Sequence, residues 1–93
     1  MQMTETLHLT HPAIVKRLRR AEGQIRGIVE MIEKERPCID IAQQLHAVEK
    51  AIVEAKRTLV QDHVDHCLER AASAQGSGKR RTLDEFKAIV RYL

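Results

Sequence analysis

Apolar residues recur along this chain with one spacing, used twice. Ile14, Leu18, Ala21, Ile25, Ile28 and Ile32 follow one another at intervals of 4-3-4-3-4, and Ile41, Leu45, Val48, Ile52, Ala55 and Leu59 repeat the pattern. That rhythm puts a single apolar stripe on a helix, of the kind that seams helices to one another. It predicts a first helix over 11–36, opened by Pro12 just inside its start, and a second over 37–73. Between them Pro37 ends the first pattern, because proline disfavours helix in the residue before it. Gly76-Ser77-Gly78 predicts a linker over 74–81. Thr82 and Glu85 then fit a T-x-x-E capping box, opening a last helix over 82–93 with Leu83, Phe86, Ile89, Val90 and Leu93 on its apolar face. Residues 1–10 read as a flexible tail. No strand-like alternation and no internal repeat appears, so the fold class is all-α, one domain of three helices over 1–93.

The second helix is too long for a 93-residue chain to bury by itself. At helical rise it is a rod of about 50 Å, and antiparallel pairing with a second copy is the natural way to cover its stripe. Composition points the same way. Phe86 and Tyr92 are the only aromatic residues, so the core is built from Ile, Leu, Val and Ala, and a small core of that sort is often completed by oligomerisation. No apolar run reaches the length of about 20 residues that spans a bilayer, and the first ten residues lack the pattern of a secretory signal. The expectation is a cytoplasmic, reducing setting with no membrane partner. Two cysteines there suit a metal or a reactive thiol pair better than a disulfide.

His63 and Cys67 stand four residues apart, on one face of the second helix. Thiolate with imidazole suits Cu(I), Zn(II), Ni(II) or Co(II) and not Mg(II) or Ca(II). Cys38 begins the same helix, 25 residues before His63, which is about 37 Å along a straight helix. The three residues therefore meet only if the helix breaks or if two chains run antiparallel. In the second case Cys38 of one chain faces His63 and Cys67 of the other, twice per dimer. His8, His11 and His66 are further candidate ligands. His46 reads as a polar helix residue.

The net charge is +3, which suits an anionic partner without naming one. The basic residues of the first helix gather at Lys16, Arg17, Arg19 and Arg20, whereas Glu30 and Glu33 lie toward its other end. Such clusters, repeated in an oligomer, make a phosphate-binding surface. No helix-turn-helix signature and no aromatic platform accompanies them. Cys67 with His63 lacks the third, orienting group and the oxyanion turn of a catalytic site, so no enzymatic activity is expected.

The run Arg19-Arg20-Ala21-Glu22-Gly23-Gln24-Ile25-Arg26-Gly27-Ile28, then Cys38 with Asp40-Ile41, Gln43-Gln44-Leu45, and His63-Val64-Asp65-His66-Cys67 resembles the CsoR/RcnR family of metal-sensing transcriptional repressors. The likeness runs from about Ile14 to Ala71. It implies a flat dimer-of-dimers tetramer that holds duplex operator DNA and leaves it when inducer binds. It also implies Cu(I) on Cys38, His63 and Cys67, the positions of the family's copper ligands. Pro37 stands where copper sensors often carry tyrosine, and Asp84 or Glu85 is nearest to their acidic residue of the last helix. A Ni(II)/Co(II) sensor is the alternative, since nickel and cobalt sensors add an N-terminal histidine and further nitrogen donors. Persulfide or formaldehyde sensing, and a metal-binding helical bundle without DNA binding, are the remaining alternatives.

Overall fold

The computed structural model describes residues 9–93. Among them the chain forms three α-helices, α1 (His11–Glu33), α2 (Cys38–Ser73) and α3 (Ser77–Ile89), closed by a single 3-10 turn at Val90–Tyr92. His8 lies outside the described residues.

α1 stops at Glu33, three residues before the position the sequence suggested. The cause is a left-handed residue. Glu35 has φ 54°, its N–H donates to the Ile32 carbonyl at 3.1 Å, and the Arg36 N–H donates to the Met31 carbonyl at 2.9 Å. This is a Schellman closure built on glutamate instead of the usual glycine. Pro37 then offers its carbonyl to the N–H groups of Asp40 and Ile41, at 3.0 and 3.2 Å. The Pro37 carbonyl therefore accepts the first bonds of α2, and Cys38 becomes the first residue of that helix. Asp40 in that first turn suits the positive end of the helix dipole, and it pairs with Arg36 at 3.7 Å on the surface.

The last helix also differs from expectation. It starts at Ser77, five residues ahead of the supposed cap at Thr82, and the linker shrinks to 74–76. Gly76 alone makes the break, with φ 61°. Thr82 is a buried interior residue whose hydroxyl donates to the Gly78 carbonyl one turn back, at 3.0 Å. Threonine satisfies its hydroxyl in this way inside helices, so a T-x-x-E spelling occurs here without a capping box. The helix ends at Ile89 and passes into the 3-10 turn before Leu93.

Two compact units divide the chain. In the unit Pro12–Lys56, Ile14, Ala21 and Ile28 of α1 are buried, as are Val48 and Ala55 of α2. These are residues seven apart, so one half of each heptad stripe is consumed inside the unit. The other half, Leu18, Ile25 and Ile32 with Leu45 and Ile52, remains exposed. Leu18, Ala21, Ile25 and Ile52 share an open apolar groove with the edges of Glu22 and Arg26. In the second unit, which includes Arg57–Leu93, Val60, Cys67 and Thr82 are buried.

Candidate functional site

His63 and Cys67 lie on one face of α2, one turn apart. Cys67 is only 1% exposed and belongs to the core of its unit; His63 is half-buried. Sulfur and imidazole nitrogen are donors that favour a soft or borderline ion over a hard one. Cys38 sits differently, exposed at the first position of α2. That helix is continuous from Cys38 to Ser73. Among the described residues no group of three or more His, Cys, Asp or Glu side chains within the chain is arranged to hold a metal ion. One chain thus offers a soft two-donor face, and an exposed thiol elsewhere.

His66, the imidazole beside Cys67, is already engaged. Its Nε2 lies 3.2 Å from Asp62 Oδ1 and its Nδ1 lies 3.3 Å from Glu69 Oε1. These are the i−4 and i+3 positions on the same helix. Asp62 is itself held from a distance in sequence, because the Thr10 hydroxyl donates to its Oδ2 at 3.0 Å. Thr10, Asp62, His66 and Glu69 form one polar chain running past His63 and Cys67. Sequence reasoning noticed His66 but not its partners, although Asp62-x-x-x-His66-x-x-Glu69 is a readable helical spacing. The Thr10 contact had no such signal.

His11 is half-buried and opens α1. His46 forms an exposed pair with Glu49 at 3.9 Å. Glu85, one of the two acidic residues considered in the last helix, faces Arg70 at 3.5 Å. Half-exposed as it is, that pair is worth at most about 1 kcal/mol, enough to bias how α3 meets the end of α2.

The basic residues Lys16, Arg17, Arg19 and Arg20 are all exposed on α1, but they do not share a single surface. Arg17 and Arg20, with Gln24 a turn further on, line an open groove of about 350 Å³ whose other wall is Ala47, Ala51 and Glu54 of α2. Arg19 lines a separate shallow depression with Val15, Leu18 and Glu22. Helical phase explains the split, since residues 17, 20 and 24 fall on one strip while 19 is turned well away. Gln24, Ala47 and Ala51 were not picked out from sequence. Small residues one turn apart on α2 are what leave the groove open.

A helical protein with a buried thiol beside a half-buried imidazole, a second exposed thiol and a basic first helix has the donors and the charge of a metal-responsive regulator. A profile of the family described as "Metal-sensitive transcriptional repressor" matches residues 10–92, and the chain belongs to that family, the CsoR/RcnR repressors. It is 42% identical over 78 residues to the copper-sensing transcriptional repressor RicR of Mycobacterium tuberculosis, covering 84% of this chain and 81% of that one. It is 40% identical over 81 residues to the copper-sensing transcriptional repressor CsoR of Bacillus subtilis, covering 84% and 79%. Among solved structures it is similar to the nickel-responsive transcriptional regulator InrS, with a TM-score of 0.75 and 36% identity over 88% of this chain and 91% of that one. No described helix is long and apolar enough to cross a membrane.

Proposed function

We propose that this protein is a cytoplasmic Cu(I)-responsive repressor, a dimer of dimers that holds duplex operator DNA when metal-free and leaves it when Cu(I) occupies Cys38 of one chain with His63 and Cys67 of another. The observation that carries the reading is the pairing of a buried Cys67 with His63 one turn away, at the far end of an unbroken helix from an exposed Cys38. A second, antiparallel copy brings a first-turn cysteine to that far end, and completes a site of two sulfurs and one nitrogen. Such a site supplies Cu(I) with the soft, low-coordinate shell it prefers.

Two further points favour copper. The named relatives at 42% and 40% identity are copper sensors. His66, which a nickel or cobalt site would recruit, is spoken for by Asp62 and Glu69. The likeness to InrS, named as nickel-responsive, keeps Ni(II)/Co(II) as the second reading. On the DNA side, Arg17 and Arg20 line an open groove and offer their guanidinium groups to a phosphate backbone, while Lys16 and Arg19 add positive charge elsewhere on the same helix. The metal and DNA states oppose one another, so each weakens the other's binding by the same factor.

The deciding experiment titrates reduced protein, bound to its own upstream DNA, with Cu(I) in a chelator buffer and separately with Ni(II) and Co(II). Release by Cu(I), retained after deletion of residues 1–9 with His11→Ala, is the expected result. Release by Ni(II) or Co(II) alone, lost in that variant, establishes the second reading. Retention on DNA with every metal overturns both.

A further inference from the structure

Thr10 is the residue immediately before α1, and its hydroxyl donates to Asp62 Oδ2 across 52 positions of sequence, at 3.0 Å. The other oxygen of the same carboxylate faces His66 Nε2 at 3.2 Å. Asp62 directly precedes His63, and His66 directly precedes Cys67. One carboxylate is therefore fastened at both oxygens, on one side to the threshold of α1 and on the other to the helical turn that carries the proposed metal donors. Asp62 and His66 are largely withdrawn from solvent, so water competes weakly for these bonds.

We infer that Thr10 and Asp62 are positioning residues of the switch, and that their hydrogen bond is the tie within each chain that passes a change at His63 and Cys67 to the start of α1. The inference rests on the metal-released repressor reading given above. Residues 62–67 are less than two turns of one helix, so any shift of His63 and Cys67 toward a third donor would move the backbone that carries Asp62. The carboxylate is anchored on His66 and cannot swing free of that turn. Thr10, at the other end of the bond, is joined to His11 by one peptide link, and α1 is the helix that bears Arg17 and Arg20. A displacement of the turn is thereby applied to the end of the DNA-binding helix. Thr10 itself meets neither metal nor phosphate in this scheme. It affects the ratio between two affinities and leaves each component site in place.

The test compares wild type, Thr10→Val and Thr10→Ser. Valine keeps the shape and removes the donor; serine keeps the donor. For each, operator affinity is measured by fluorescence anisotropy without metal and with saturating Cu(I) in a chelator buffer, and Cu(I) affinity is measured without DNA. The expected result is a ratio of metal-free to metal-bound operator affinity at least tenfold smaller in Thr10→Val, a loss of about 1.4 kcal/mol of coupling. Metal-free operator affinity and Cu(I) affinity stay within about threefold of wild type, and Thr10→Ser keeps the full ratio. A Thr10→Val protein with the wild-type ratio overturns the inference, whether or not its absolute affinities have fallen. Should wild type itself fail to leave the operator with Cu(I), Ni(II) and Co(II), the repressor reading falls and the inference with it.

Discussion

The exposed half of the heptad stripe gives the proposed oligomer its most direct test. Ile25 and Ile52 are 45% and 43% exposed and face one groove. Complete burial of an isoleucine side chain is worth about 1.5–3 kcal/mol. Nearly half of each surface is still open within the chain, so covering it with a second copy contributes about 1 kcal/mol per residue, and truncation to alanine gives up roughly three-quarters of that. An isologous interface counts every substitution twice. The double variant Ile25→Ala/Ile52→Ala therefore weakens the dimer by about 3 kcal/mol, which is somewhat more than a hundredfold in its dissociation constant. Sedimentation equilibrium over a wide concentration range reads this as a shift of the monomer–dimer midpoint, with circular dichroism showing that helix is retained. Under the shared-site reading, metal stoichiometry measured at the same concentrations falls in step with dimer. A folded double variant that sediments like wild type throughout would show that these residues face no partner. A variant that becomes monomeric yet binds one Cu(I) per chain as tightly as before would refute the shared site instead.

Other expectations are simpler. Mixed Cys38→Ala and Cys67→Ala subunits, unfolded and refolded together, should regain intact three-donor sites that neither homodimer has, with Cu(I) binding measured against a chelator; no gain over the separate variants would place the site within one chain. Arg17→Ala or Arg20→Ala should weaken operator binding and flatten its dependence on salt by about one unit of log–log slope per lost phosphate contact, with Cu(I) affinity unchanged; equal affinity at equal salt would take that groove out of the interface. Val60, 2% exposed, should cost about 2–3 kcal/mol when cut to alanine, read from urea denaturation at fixed protein concentration, and a loss under 1 kcal/mol would mean that its surroundings collapse onto the space.

The helical stripes were legible because heptad spacing is a local property of the chain. Which half of each stripe is consumed inside the chain was not legible. Ile14 and Leu18 look alike in sequence, yet Ile14 is buried and Leu18 exposed, a difference set by where the neighbouring helix lies. The corner before α2 was half visible. Pro37 announced it, but a left-handed Glu35 carries no marker, since glycine is the residue that usually signals such a conformation. Thr82 misled because a threonine hydroxyl bonds a carbonyl one turn back as readily as it caps an amide ahead. At the candidate site, the placement of His63 and Cys67 on one helical face followed from spacing alone. The engagement of His66 needed the rotamers, and Thr10 with Asp62 needed the tertiary fold.

The continuity of α2 has one more consequence. If Cys38 of one chain meets His63 and Cys67 of an antiparallel copy, symmetry requires the twofold axis to cross the helix midway between those positions, close to residue 52. Ile52 is then its own neighbour. Whatever side chain stands there meets a duplicate of itself, so isoleucine gives an apolar contact and a charge at that point would be set against the same charge. The helix acts as a ruler whose midpoint is fixed by its two ends. Inserting one residue on either side of that midpoint moves the axis by about half a helical rise and turns Cys38 by about 100° relative to the donors it must join.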